Sequence, residues 1–240
     1  MHPIGDTHIG HKNSSPRDLA ELLASIPKTP NHRILLMGDL VDCGTKDSIG
    51  ASAYEQMINP NEQLNLITEL FASHKEQIDG AVMGNHEYRI FKNSGVDIME
   101  QFCKQLSVPY LLYSGVVTYS NSIKSMTHFK RAYNINLFHG RAGGSIENAL
   151  RACKAMSQKV TADAYLMGHC HHKAHTTRIM KYVDSRNGKI IDARQSFVLT
   201  GQLLKYDDSY ADQANLEIAE MGFPVLELAT TGKKNIRVIE

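Results

Sequence analysis

The chain has 240 residues, 42% of them apolar and 21% charged, with a formal net charge of +1. These values fit a soluble globular chain long enough to bury a sizeable core, and they exclude a disordered or fibrous one. No apolar run approaches the ~18 residues of a membrane-crossing helix and no charged-then-apolar leader opens the chain, so one cytoplasmic domain spanning 1–240 is expected. Cys43, Cys103, Cys153 and Cys170 make no Cys-x-x-Cys pair and are too sparse for a disulfide framework, so they read as reduced thiols. For Cys43 and Cys170, small filler beside a tight turn is favoured over ligand or nucleophile.

Met1 to Gly5 reads as a very short first strand ending at Asp6-Thr7-His8. Asp and His two apart on an extended segment point the same way. Ser15-Pro16 then starts a helix, with Ser as N-cap, Leu19, Leu22, Leu23 and Ile26 on one face, and Pro27 and Pro30 beyond its end. Arg33 to Met37 is a buried strand, and Thr45 to Asn61 a long loop of the kind that is often functional. Leu64, Ile67, Phe71, His74 and Ile78 share helical spacing, which makes His74 a packing or surface residue. Ala81 to Met83 is the next strand, and a second helical stripe carries Ile98, Met99, Phe102 and Leu106. Consecutive strands follow at 111–119, 123–128 and 134–138, then a helix from Ser145 to about Lys159 and a short strand at 164–167. The tail reads as strands at 174–183, 189–199, 223–228 and 235–239.

The near-neutral total hides an uneven distribution. Between Asn121 and Tyr206, fourteen basic residues stand against four acidic ones, leaving +10 there and −9 for the remainder. Such a split marks either a basic face for a polyanion or ordinary solvated charge.

Five strand-then-turn stretches end alike, each delivering Asp, Asn or His: Gly5-Asp6-Thr7-His8, Gly38-Asp39-Leu40-Val41-Asp42, Gly84-Asn85-His86-Glu87, Phe138-His139-Gly140 and Gly168-His169-Cys170-His171. Ligand sites of open α/β sheets gather at such tips. Singly, each stretch says little. Together they point to one polar cluster with Asp39 near its middle.

In this order the five stretches resemble the ordered motif set of the calcineurin-like metallophosphoesterases, over Asp6 to His171, roughly 70% of the chain. The resemblance implies an α/β fold, a four-layer α/β/β/α sandwich with two mixed β-sheets, carrying two metal ions at the strand tips. Asp6, His8 and His171 would hold the first ion, Asn85, His139 and His169 the second, and Asp39 would bridge both. Two dications ~3.5–4 Å apart need an anion between them. Imidazole mixed with carboxylate and amide oxygen suits Mn²⁺, the first choice, or Zn²⁺, Fe or Ni²⁺, better than Ca²⁺ or Mg²⁺. By the same resemblance His86 is no ligand but the general acid for the leaving oxygen, with a hydroxide held between the metals as nucleophile. Asp42 would orient His86 and raise its pKa, the alternative being a turn-stabilising Asp before Cys-Gly. Arg89 and Arg141 stand equally for contacts to phosphate oxygens and for structural ion pairs. For His172 a place on a loop surface is favoured over contact with substrate.

Departures from the pattern bear on substrate. The chain has Asp42-Cys43-Gly44 where the Ser/Thr protein phosphatases carry an Arg that grips phosphate, and it ends in a contiguous Gly-His-x-His that those enzymes lack. Its Asp-Thr-His-Ile-Gly opening is similar to phosphodiesterases and to DNA-repair exonuclease subunits of bacteria and phages, although their capping domain is not evident. A phosphodiesterase, acting on DNA or RNA along the basic stretch, is therefore the leading expectation, with no membrane partner. A phosphomonoesterase of protein-phosphatase type and a non-catalytic scaffold with the same fold are the alternatives.

Overall fold

Three short apolar runs, His2–Ile4 (β1), Ile34–Leu36 (β2) and Ile78–Ala81 (β3), lie side by side in the computed structural model, which describes residues 1–45, 48, 54–121, 131–141, 145–206 and 217–240. They pair in parallel in the order β1-β2-β3, His2 opposite Ile34 and Ile34 opposite Ile78. All three residues of β2 are buried, as a parallel strand covered on both faces requires.

Helices α1 (Pro16–Ser25), α2 (Pro60–Ala72), α3 (Asn85–Ser94) and α4 (Ile98–Leu106) connect and cover this sheet. Ser15 caps α1 by accepting the Asp18 N–H, and Asn59 with Glu62 forms a reciprocal capping box at α2. Leu19, Leu23, Leu64, Ile67, Phe71 and Phe102 pack with Ile4, Ile34 and Leu36 into one core cluster. Phe71 and Phe102 meet edge to face at 6.1 Å.

The second sheet is mixed. Ser114–Asn121 (β4), Arg131–Phe138 (β5), Ala164–Met167 (β6), Lys173–Val183 (β7) and Ile190–Thr200 (β8) run in the order β4-β5-β6-β8-β7. The β4/β5 and β7/β8 pairs are antiparallel, and β6 pairs in parallel on both sides. Strand alternation then sorts the side chains by face. Leu166 and Val198 join Ile135, Leu137, Leu35, Met37 and Val82 in a cluster between the sheets. Tyr165 and Phe197 face the other way, onto Ala149 and Cys153 of α5 (Ile146–Ala155). The hairpin Val225–Leu228 (β9) and Ile236–Ile239 (β10) reaches the first sheet through Leu226, which exchanges two 2.9 Å bonds with Met1. The result is a mixed α/β fold whose sheets are flanked by helices. Among the described residues no helix is long and apolar enough to cross a membrane.

Some sequence expectations are corrected. The helical stripe extrapolated to Ile78 stops at Ala72, and Ile78 opens β3 instead, because a 3-10 turn at Lys75–Gln77 redirects the chain. The expected helix to Lys159 ends at Ala155, followed by a 3-10 turn at Met156–Gln158. Of the sheets expected to be mixed, the β1-β2-β3 sheet is parallel throughout, its antiparallel neighbour being the β9–β10 hairpin. Helix α3 was not anticipated, and the strand expected at 123–128 lies outside the described residues.

Tyr165 is a test of the layer beneath α5. Its hydroxyl donates to Val160 O (2.9 Å) and accepts from Ala162 N–H (2.8 Å) and Gln195 Nε2 (3.0 Å), while its ring stacks on Phe197 at 5.0 Å. Tyr165→Phe keeps the stack and removes all three bonds, leaving Gln195 Nε2 only its bond to Ala162 O. We expect a loss of about 2 kcal/mol, read as a lower urea midpoint at unchanged slope.

Candidate metal centre

The tips of β1 and β2 are laced together by backbone bonds that continue the sheet into loops. Asp6 N–H donates to Gly38 O (2.9 Å), Thr7 and His8 N–H to Asp39 O (3.0 Å each), and Ile9 N–H to Leu40 O (2.9 Å). Asp6 and His8 therefore do not project from an extended strand, as the sequence suggested. Both have left-handed backbone, with φ of 47° and 45°, and so do Asp39 (49°), His169 (66°) and His171 (62°). Non-glycine residues in this region are strained, and clusters of them mark functional sites. Gly38 must be glycine, since φ is +83° and a Cβ there would lie 2.5 Å from the Gly84 nitrogen.

The structure brings every expected site residue together. Asp6, His8 and His171 offer ligand atoms to one ion-sized space, and Asp39, His139 and His169 to another. His171 Nε2 lies 3.4 Å from Asp6 Oδ1 and 3.2 Å from His8 Nε2. His139 Nε2 lies 3.0 Å from Asp39 Oδ2 and 3.0 Å from Asn85 Oδ1. Asp39 Oδ2 is also 4.0 Å from His8 Nε2 and 3.9 Å from His86 Nε2, so this 1% exposed carboxylate sits between the two groups. Asp6 further accepts the His169 N–H at 3.0 Å.

The donor set fits divalent cations. His139 Nδ1 is 2.7 Å from Met37 O, an acceptor only, so Nδ1 carries the hydrogen and Nε2 faces the cage. His8 Nδ1 donates to Asp42 Oδ1 at 3.0 Å, again aiming Nε2 inward. Burial and the neighbouring His86 push His8 down to about 4, so it is neutral with a free lone pair at pH 7. Burial opposes charge on His139 as well, but the Asp39 carboxylate overrides it and pushes this imidazole up to about 10. A cation in the cage would take the place of that proton. Burial likewise opposes ionisation of Asp39, yet His139 and His86 hold its carboxyl well below the usual range.

Asp42 touches two rings, not one. Its Oδ1 lies 3.0 Å from His8 Nδ1 and 3.1 Å from His86 Nδ1, and its backbone oxygen accepts from His86 Nδ1 at 2.6 Å. His8, Asp42 and His86 also lie close enough to hold an ion. Because both rings present Nδ1 to Asp42 and Nε2 to the centre, we read this trio as a hydrogen-bonded clamp behind the cage.

Three residues given no role in the sequence stand behind this site. Glu87, fully buried, accepts the N–H groups of Asp39 (3.0 Å), Leu40 (2.7 Å) and Gly84 (3.0 Å), with Val41 at 3.4 Å. It binds the tip of β2 to the start of α3. Glu87 stands three residues after the cap position Gly84 and accepts its N–H, but a glycine cap offers no side chain in return, so the sequence carries only half of a capping box. Gln56 donates to Asp42 Oδ2, and Gln63, itself buried, donates to Gln56 and accepts the Cys43 N–H at 2.9 Å. No sequence pattern announces this pair.

The remaining candidates resolve individually. Cys43 is buried at φ 47° and burial pushes its thiol up, as for Cys103, Cys153 and Cys170, so all four free thiols remain neutral filler. His172 is buried, correcting its placement on a loop surface, because the backbone at His172 is tied to Gly201 N–H. Arg89 has no ion pair among the described residues, and its buried Nη1 lacks an acceptor there. Arg141 is exposed.

An α/β scaffold here gathers two His/Asp groups around one buried carboxylate at its strand tips, an arrangement suited to divalent cations. The family model for calcineurin-like phosphoesterases matches residues 4–173, and the chain belongs to that family. The site is accordingly that of a metal-dependent phosphoester hydrolase. A search of curated protein sequences returned no significant match.

Two substitutions test the centre. Asp39→Asn removes the carboxylate charge shared by both groups, and elemental analysis should find at least one metal equivalent lost; two retained equivalents would remove Asp39 from the bridging position. Glu87→Gln substitutes an amide for an acceptor-only carboxylate and turns one NH₂ against the N–H groups it now binds. A stability loss of about 3 kcal/mol in denaturant unfolding is expected, together with weakened metal retention.

Proposed function

We propose that this protein is a phosphodiesterase that works with two divalent ions, Mn²⁺ first among them, and hydrolyses a nucleic-acid strand. Asp6, His8 and His171 would hold one ion, Asn85, His139 and His169 the other, with Asp39 between. Bound there, the ions supply Lewis acidity toward the phosphoryl oxygens and an activated water at neutral pH. The observation that carries the reading is the setting of His86. Its Nδ1–H is fixed by Asp42 while its Nε2 stands 3.9 Å from Asp39 Oδ2, at the reacting edge. Burial disfavours the imidazolium, but Asp39 and Asp42 outweigh it and push His86 up to about 9. As the imidazolium, His86 donates Nε2–H to the leaving oxygen, and Asp42 holds the ring and balances its charge.

The diester preference is supported by position 43. A monoester carries two charges at neutral pH and a diester one. Where a protein phosphatase would offer an Arg, this chain offers a buried neutral thiol, which suits the less charged substrate. The nucleic-acid reading draws on the basic stretch, now narrowed. The Arg178 guanidinium is committed to Gln195, Ser157 and the Phe197 ring, whereas Arg151, Lys154 and Lys181 are exposed. Lys124, Lys130 and the Arg131 side chain lie outside the described residues. We read the whole of 1–240 as one such unit.

The test compares a chromogenic diester with its matching monoester under Mn²⁺, Zn²⁺ and Mg²⁺, in the wild type and in His86→Ala. The diester should be preferred. The variant should keep its metals and lose ~10²–10⁴-fold on alkyl leaving groups but far less on nitrophenolate, which departs without a proton. Preference for the monoester, or equal losses on both leaving groups, would overturn the respective assignment.

A further inference from the structure

Beyond its first turn, α3 takes no part in the centre it begins at, yet its surface is aromatic. Asn85, Tyr88 and Phe91 are spaced by three, so they form one ridge that starts at a candidate metal ligand. Each step advances ~4.5 Å along the helix axis. Tyr88 and Phe91 are each 40% exposed with ring centroids 6.1 Å apart, and Tyr113, 53% exposed, meets Tyr88 edge-on at 5.9 Å. Tyr113 is kept there by its neighbour Leu112, whose oxygen accepts the Met83 N–H at 2.7 Å just ahead of Gly84. Three large rings held together in solvent, on and beside the helix that begins at Asn85, form a contiguous apolar patch of the kind that binds ligand.

We propose that Tyr88, Phe91 and Tyr113 form a stacking subsite for a nucleobase of a diester whose phosphate lies at the Asp39 cage. The proposal rests on the phosphodiesterase reading and names the substrate as a nucleotide diester. The occupant follows from position and shape. Tyr88 and Phe91 lie ~4.5 and ~9 Å along the axis from Asn85, so a base on this ridge is joined to the phosphate within the reach of a nucleoside. A flat group with a π-face suits rings presented edge and face, and stacking accepts any base. The subsite also places an aromatic platform beside the cleavage point.

The experiment uses the metal-loaded full chain and two diesters with the same leaving group, the p-nitrophenyl ester of thymidine 5′-monophosphate and methyl p-nitrophenyl phosphate. The ratio of their kcat/KM values reads the nucleoside, base and sugar together, against a methyl group, and its change in a variant reads the contact that variant removes. In Tyr88→Leu and in Tyr113→Leu this ratio should fall about tenfold, through KM for the thymidine ester, whereas Tyr88→Phe should preserve it. An unchanged ratio in the Leu variants, or a loss as large in Tyr88→Phe, would overturn the subsite. If the wild type cleaves neither diester, the phosphodiesterase reading fails separately. Calorimetric binding of thymidine 5′-monophosphate to metal-loaded protein then decides the subsite: about tenfold weaker binding in Tyr88→Leu supports it, and equal or undetectable binding in both proteins rejects it.

Discussion

The arrangement of the site depends on one buried carboxylate that no ion would touch. Glu87 gathers the N–H groups of Asp39, Leu40 and Gly84, and thereby joins the tip of β2 to the first turn of α3. Burial and the adjacent Asp39 charge push its carboxyl up to about 7. Donors converging on a single acceptor in a dry interior leave few alternatives for the loop, because each would otherwise lose its partner. Asp39, Asn85 and His86 sit on either side of this junction. Their separation is therefore set by Glu87 before any ligand binds.

The loops around that junction are strained. Asp6 and His8, two residues apart, would share a face on regular extended backbone as well; instead the chain turns at the strand tip, with left-handed backbone at both and also at Asp39, His169 and His171. Such residues each cost about 1–3 kcal/mol. The tip-to-tip bonds from Asp6, Thr7, His8 and Ile9 to the β2 loop offset that cost and keep the ligands converged. Gly38 and Gly84 permit the approach, since a Cβ on Gly84 would fall 2.1 Å from Asp39 Oδ1.

Behind the ligands, Asp42 links the two sides of the chemistry. One carboxylate oxygen orients His8, a candidate ligand, and His86, the proposed acid. Gln56 occupies the other oxygen, and Gln63 holds Gln56. Metal binding and proton delivery thus share one rigid support, so a disturbance of Asp42 reaches both.

Much of this was legible in the linear chain. Short apolar runs followed by Gly-Asp, Gly-Asn, His-Gly or Gly-His identify strand tips and their polar cargo, because burial of the strand and chemistry of the turn are local properties. Helices α1, α2 and α4 and the tail strands followed from periodicity and capping for the same reason. What tertiary structure alone decided was the particular contacts between distant stretches. Nothing local signals that Glu87 serves the Asp39 loop, that Asp42 faces His8 as well as His86, or that Tyr113 comes to lie on Tyr88. Helix α3 escaped because its cap is a glycine and its outer face is aromatic, so neither capping nor amphipathic signals stood out. Residue type and spacing specify which groups a chain has to offer. Only the packing of β1, β2 and α3 against one another determines which of those groups meet, since the contacts join positions tens of residues apart and depend on the whole core being in place.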